Sequence, residues 1–488
     1  MSELQALFNS WPLVVGIFLF SVILIVGFVA FVHLGSKTRI ELMGAYFVGV
    51  PIAMVIGVIV GGRDLTRMAD SPFEIDLAAS ASSNWISRGI TLICLGIAAE
   101  RIARFYLKDH YAKIQNKALV WAAVVYCIGS SLLPSILGTS GGFSHQTLYV
   151  LPIFIAIFIH AQTKPEQIIR LTRNTILGYL TVSLLWLAIN PNLVAETNYR
   201  AGLVPGATLR FYGFATHPNT LAPLCLVLMG CLRLLPFNGN TVNLFGSAVA
   251  IISLVLTQSK TSLFLVGLIL LYFWWLDYRQ NLKAQGPTHY YSWVLKLVTL
   301  AFLSAACIAL VVLIDSFGGG ALGDSISEMF DNNQFDTLTG RTQIWTATFK
   351  AFSENPLFGY GPGLWGIEFR NKTGLQFTHA HNQYIQTLGA SGLFGLITLL
   401  AYLGALCVFA WRANANTRGV SWGLFLFIVM RGITEVPLKM DSPFQSEFLT
   451  QMFLLTLCVG AFSYIAPNRS QSDREDLINP SVYSKKVQ

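Results

Sequence analysis

Thr378-His379-Ala380-His381-Asn382-Gln383-Tyr384, followed by Gly389, Gly392 and Gly395, sets two imidazoles where a polar segment runs into an apolar, glycine-punctuated helix. Histidine titrates near neutral pH, so His381 is placed to accept or orient a proton at the edge of a membrane. Cations recur at similar boundaries: Arg210 in Arg210-Phe211-Tyr212-Gly213, Lys260 in the turn Thr257–Ser262, and Arg341 in Gly340-Arg341-Thr342. Each alone reads as a snorkelling side chain. Together, beside His217 and His381 in a chain short of charge, they make an anion site at headgroup depth. His217 precedes Pro218-Asn219, a helix start with proline in its first turn, so it is both a cap and a candidate site residue. Asn382 is a further candidate, and Glu435, placed within the penultimate span, is an alternate base. Arg431 and Glu435 stand one helical turn apart and form a self-neutralising pair. His379 reads as a solvated loop residue, Arg200 and Arg370 as surface residues or glycan contacts, and Trp345, Tyr360 and Trp365 mainly as interface anchors, with sugar stacking open to those in the loop. Gly389, Gly392 and Gly395 read as close-packing positions.

The elements that position these residues are membrane spans. The 488 residues are 54% hydrophobic and 11% charged, with a mean hydropathy of +0.57, beyond the apolar fraction of soluble domains. Runs approaching the roughly 20 residues that cross a bilayer as a helix recur near 11–33, 42–61, 86–106, 118–137, 147–161, 174–192, 216–235, 243–258, 261–277, 294–315, 382–410, 421–438 and 447–466. The expectation is an all-α polytopic protein with about 12–14 transmembrane helices, a single transmembrane domain over 1–466 and a cytoplasmic tail over 467–488. With the N-terminus outside, the inner segments hold 20 Lys/Arg and the outer ones 10, which satisfies the positive-inside rule. The segment 316–380 then becomes a large extracytoplasmic loop. Within it, apolar residues from Gly340 to Phe352 recur at helical spacing, predicting an amphipathic helix on the outer leaflet or over the bundle.

All seven cysteines fall in or beside apolar segments, so no disulfide framework or thiolate metal site is expected. The first apolar run lacks a preceding Lys or Arg and is too long for a signal h-region, so it is retained as a span. The net charge of +8 lies mostly in the inner segments, where it suits topology and anionic lipid. No basic-aromatic pattern points to nucleic acid.

The set Arg210…Gly213…His217-Pro218-Asn219, Ser259-Lys260-Thr261, Gly340-Arg341-Thr342…Trp345…Pro356-Leu357…Gly359…Gly361 and His381-Asn382…Tyr384…Gly389…Gly392 resembles the O-antigen ligase and Wzy-type polysaccharide polymerase superfamily. The resemblance covers about 200–410. It implies a C-type glycosyltransferase-like helical bundle with the external loop capping the site, in the bacterial cytoplasmic (inner) membrane. It also implies transfer of a glycan from undecaprenyl pyrophosphate at the outer face, with no metal or cofactor. The Gly-Arg-Thr-x-Ile-Trp signature and the Ser-Lys-Thr turn look more like exopolysaccharide polymerases than lipid A-core ligases. Ligases usually carry Arg where this chain has Lys260, and lysine binds phosphate as a point charge without the bidentate fork.

Displacing pyrophosphate from an anomeric carbon builds negative charge on the leaving group, which fixed cations stabilise. Arg210, Lys260 and Arg341 are the expected pyrophosphate-binding residues, with His381, Arg341 and Arg210 carrying catalysis and a single displacement inverting the centre. The expected partners are the undecaprenyl-pyrophosphate-linked donor, a glycan or lipid A-core acceptor, membrane lipid and a chain-length regulator. Three readings stay open. The first is a polymerase of lipid-linked repeat units; the second is a ligase that transfers the glycan to lipid A-core or a protein. The third is a transporter of the same lipid-linked glycan, which would place polar groups at the bilayer midplane.

Overall fold

A computed structural model describes residues 44, 46–66, 81–108, 116–142, 145–197, 199, 209–285, 334–375, 377–440 and 445–460. The expected spans at 11–33 and 294–315, the acidic stretch 316–333, Arg200 and the tail 467–488 lie outside them. The described chain is all-α. Its helices are α1 (Tyr46–Gly61), α2 (Ala81–Lys108), α3 (Lys117–Leu137), α4 (His145–Thr163), α5 (Pro165–Ile189), α6 (Pro218–Leu234), α7 (Asn240–Leu256) and α8 (Lys260–Gln285). They continue as α9 (Gln334–Glu354), α10 (Ile367–Thr373), α11 (Gln383–Ala413), α12 (Val420–Arg431) and α13 (Ser446–Val459). The strands described are β1 (Ala195–Glu196) and β2 (Arg210–Phe211), paired antiparallel. Lys117–Leu137, Lys260–Gln280 and Gln383–Ala413 are long and apolar enough to cross a membrane, and six shorter apolar helices accompany them.

Helix α13 shows why the bundle is ordered as it is. Every one of its residues is buried, as expected of a helix that is apolar all round. It packs against α4, α6, α11 and α12 and so forms the centre of the bundle. Several of its polar side chains bond within the bundle: Thr450 and Thr456 donate to the carbonyls of Ser446 and Met452, and Gln451 to that of Pro437.

Two helices are interrupted, and both interruptions lie near the site. In α3, Ile128–Leu132 forms a π-turn. In α11, Gly392 takes φ +65°, a left-handed conformation natural only to glycine, and a Cβ there would collide with the backbone of Leu357 and Phe358. Gly389 and Gly395 do permit close approach, the former against Thr348 of α9. The break lets the carbonyls of Gly389 and Ala390 accept the Tyr360 and Gly361 N–H groups, while Thr139 and Ser140 donate to the carbonyls of Gly359 and Tyr360.

The described part of the segment 316–380 is therefore structured. The expected amphipathic helix begins earlier, at Gln334, and packs on α11. Ile344, Ala351, Tyr360, Leu364, Trp365, Phe369 and Ala380 make a second core beneath it. Tyr360 and Trp365 thus fill a core instead of anchoring at the interface, and Arg370, expected at the surface, is 6% exposed.

The span expected over 421–438 is shorter. Helix α12 ends at Arg431, and turn bonds from Ile433 to Met430 and from Thr434 to Arg431 follow. Pro437 cannot donate and disfavours helix at the residue before it. Glu435 consequently leaves the span and enters a turn beside the two histidines.

Candidate functional site

Asn382 fixes the histidine turn from below. Its side-chain oxygen accepts from the Tyr384 and Ile385 N–H groups, capping α11, and its amide donates to the Ile433 carbonyl at 3.1 Å. Trp345 of α9 donates its indole N–H to the Ala380 carbonyl at 2.9 Å, and the Ala380 N–H donates to Gln386 Oε1 at 2.8 Å. These bonds hold His381 at φ +49°, a left-handed conformation uncommon outside glycine. Asn382 has both ends of its side chain engaged and acts as a positioning residue.

The turn brings both imidazoles onto one carboxylate. His379 Nε2 lies 3.2 Å from Glu435 Oε2, and His381 Nδ1 lies 3.6 Å from the same oxygen, a charge contact just beyond hydrogen-bond length. The rings are 4.1 Å apart between centroids. Glu435 Oε1 accepts from Asn219 Nδ2 at 2.5 Å. Burial alone would raise the Glu435 pKa, but hydrogen bonding to His379, interaction with His381 and the charge of Arg431 outweigh it and hold the group well below the usual carboxylate range. His379 is pulled below its ordinary value by burial, against the opposing pull of Glu435. It belongs to the cluster and is not the solvated loop residue expected, because the turn at 432–435 delivers Glu435 to it.

Arg431 does not close on Glu435. Its guanidinium donates to the Asn219 carbonyl at 2.5 Å and pairs with Glu447 of α13 at 3.4 Å. The central helix thus fixes Arg431, Arg431 fixes the first turn of α6, and Asn219 in that turn fixes Glu435.

His217 caps α6 as the Pro218-Asn219 signal indicated: Nδ1 accepts from the Asn219 N–H at 3.1 Å, and the Thr220 hydroxyl accepts from the His217 N–H. Burial and the charge of Arg210 push its pKa down to about 3. An accepting Nδ1 on a neutral ring assigns the proton to Nε2, so His217 can donate from Nε2 but cannot serve there as a base.

Arg210 is presented by the β1–β2 ladder, where it pairs with Glu196. Arg63 clamps this segment, donating to the carbonyls of Leu193, Gly213 and Ala215. The guanidinium of Arg210 rests on the Tyr199 ring, 4.4 Å from its centroid, and its buried Nε has no hydrogen-bond partner. Lys260 opens α8 and is exposed. Its turn is tied to the same segment by Gln258, which donates to the Leu209 carbonyl. Arg341 makes no ion pair among the described residues and stands one turn before Trp345 on α9.

The structure therefore joins His217, Arg210, Asn219, His379, His381 and Glu435, with Lys260 and Arg341 carried on adjoining elements. Arg63, Asn219, Trp345 and Glu447 were not singled out as site residues by sequence. A single arginine after an apolar run and a glutamate at a helix start carry no chemical signature. Ligand atoms of His379, His381 and Glu435 lie within 4.8 Å of one another, a spacing that also suits a divalent ion.

Residues 245–400 match the O-antigen ligase family model, which supports the O-antigen ligase and Wzy-type superfamily. An uncharacterized protein of Haemophilus influenzae is 29% identical over 147 residues, an alignment that covers 27% of this chain and 36% of that protein.

Proposed function

We propose, from the premise that residues 245–400 are O-antigen ligase-like, that this chain is a metal-independent, inverting membrane glycosyltransferase. In this reading it polymerises undecaprenyl-pyrophosphate-linked repeat units at the outer face of the bacterial cytoplasmic membrane. The observation that carries the proposal is the convergence of His381 and an ionised Glu435 with His217 and Arg210, whose buried Nε has no hydrogen-bond partner. With its Nδ1–H directed at Glu435, His381 presents a free lone pair on Nε2. The acceptor oxygen attacks the anomeric carbon as its proton passes to that nitrogen. The anomeric carbon–oxygen bond breaks with its electron pair on the pyrophosphate. Arg210, Lys260, Arg341 and the Nε2–H of His217 stabilise that charge, while Asn382, Asn219 and His379 hold the acid–base pair in register.

The ligase reading remains as a second, because the matching family model is described as O-antigen ligase. One experiment separates them. Purified protein in lipid is given a short undecaprenyl-pyrophosphate repeat unit, with and without lipid A-core. A ladder without acceptor identifies a polymerase, a single acceptor-dependent product identifies a ligase, and no product under either condition rejects the glycosyltransferase reading. His381→Ala should lower turnover by about a hundred- to ten-thousandfold. A chelator should leave the rate unchanged; its loss on chelation would instead assign His379, His381 and Glu435 to a cation.

A further inference from the structure

The three groups that meet at the histidine turn have separations close to those of ligands around one small cation. Ligand atoms about 2.0–2.1 Å from a tetrahedral zinc stand about 3.3 Å from one another. His379 Nε2 and His381 Nδ1 lie 3.2 Å and 3.6 Å from Glu435 Oε2, and the three atoms fall within 4.8 Å of one another. His381 Nδ1 is buried and has no hydrogen-bond partner among the described residues. It faces Glu435 from just beyond hydrogen-bond length, so no bond has to break for an ion to enter there.

The atoms behind the ligands are arranged to hold them. Glu435 Oε1 accepts from Asn219 Nδ2 at 2.5 Å, which leaves Oε2 as the oxygen turned to the imidazoles. His379 Nδ1 is 3.1 Å from the Thr378 hydroxyl, which accepts from it when Nε2 carries the lone pair. Partners of this kind fix the tautomer and aim of metal-binding histidines. Glu435 is held ionised and burial keeps His379 neutral, the protonation states in which carboxylate and imidazole bind metal. Both rings keep part of their surface open to solvent, so an ion can reach them. Two imidazole nitrogens and one carboxylate oxygen select Zn²⁺ over Mg²⁺ or Ca²⁺, which take oxygen ligands. The positive charge of Lys439 also bears on His379, which disfavours ions held by charge alone and favours one held by nitrogen lone pairs.

We propose that His379, His381 and Glu435 bind Zn²⁺ and that the bound ion blocks the site. The binding stands on the cluster itself; the blockade rests on the glycosyltransferase reading above. A neutral imidazole carries one ring proton. Zinc on Nδ1 of His381 places that proton on Nε2, so the nitrogen assigned to receive the acceptor proton has no lone pair left. Zinc also takes the Glu435 charge that orients the ring. The ion is therefore an inhibitor, and the chain works without it.

The test titrates the tag-free full chain in nanodiscs with Zn²⁺, by competition against a fluorescent chelator, and with Co²⁺, whose tetrahedral complexes absorb in the visible. Zn²⁺ should bind saturably, and Co²⁺ should give tetrahedral bands that Zn²⁺ displaces. Outer partners of ligating histidines are worth about ten- to a hundredfold in metal affinity. Thr378→Val, which removes only the hydroxyl behind His379, should therefore weaken Zn²⁺ by about tenfold, and His379→Ala by more than about a hundredfold. Thr378→Ser should keep the affinity. In transfer assays Zn²⁺ should stop the unaltered protein at the concentration that fills the site, and Mg²⁺ should not. Activity retained by His379→Ala should resist that concentration. No saturable Zn²⁺ binding, or binding undiminished in His379→Ala or in Thr378→Val, would overturn the site, and Thr378→Val keeps the test open if His379→Ala fails to fold. Transfer that proceeds unchanged or faster with the site filled would overturn the blockade. Zn²⁺ bound at these residues in a preparation that transfers no glycan even after the ion is removed would retain the site and reject the enzyme reading.

Discussion

Glu435→Gln isolates the electrostatic part of the proposed acid–base group while keeping its volume. In the unaltered protein the carboxylate accepts from Asn219 at 2.5 Å and His379 at 3.2 Å and faces His381 at 3.6 Å. A glutamine satisfies one neighbour through its oxygen and turns an N–H₂ toward the other, so His381 loses both its counter-charge and its orienting group. Two unit charges about 4 Å apart interact by about 4 kcal/mol at an effective dielectric near 20. The His381 side chain is 26% exposed, and water at its open side reduces this to about 2 kcal/mol. Since each 1.4 kcal/mol is tenfold in rate, turnover should fall by about thirtyfold from the lower figure and about a thousandfold from the upper. The loss should appear in kcat, with the KM for the lipid-linked donor little changed, because the proposed phosphate-binding cations are untouched. The assay is single-turnover transfer in proteoliposomes, resolved by gel. A variant within threefold of the unaltered rate would show that Glu435 does not act through His381, and the acid–base assignment would fall.

Arg210→Ala and Arg341→Ala should each lower transfer by about a hundredfold or more with the protein still inserted, while Lys260→Arg should retain activity; near-normal rates in both alanine variants would move the pyrophosphate elsewhere. His217, pushed down to about 3, stays neutral in the fold while the unfolded chain takes up a proton as pH falls below its ordinary range near 6.5. The unfolded state then binds more protons, so this residue makes the detergent-solubilised protein melt lower between pH 6.5 and 3. His217→Asn, which keeps a capping side chain, should flatten that dependence, and an unchanged melting profile would contradict it. Cysteines at exposed Ser353 and Asn238 should be labelled by an impermeant reagent from outside and inside respectively, and the reverse pattern would invert the topology.

The sequence disclosed the helices and brought forward most residues of the candidate site, because both leave local marks. Apolar runs located every described span, with ends that differ by up to nine residues, and Pro218 after His217 located the start of α6. What it concealed was the pairing. Glu435 was read within a span because Ile433, Val436 and Leu438 extend the apolar pattern beyond Arg431. Pro437 and the bonds within 430–434 end the helix sooner. That shift of about two turns is what makes His379 a partner of Glu435, and leaves Arg431 for Glu447. Tyr360 and Trp365 were read as interface residues because aromatic type alone cannot distinguish a headgroup belt from a small core, and the core beneath α9 depends on contacts distant in sequence.

The placement of α13 at the centre of the bundle bears on the order in which the protein is made. Glu447, which fixes Arg431 and through it Asn219 and Glu435, is synthesised after all the other residues of that chain of contacts. A nascent chain that has inserted α1 through α12 already carries Arg210, His217 and His381, yet Arg431 still lacks its counter-charge and the middle of the bundle is open. Arrival of the final described helix closes the bundle and completes the contacts that align the carboxylate with the imidazoles. The contacts that assemble the candidate site are thus incomplete until translation has passed residue 447.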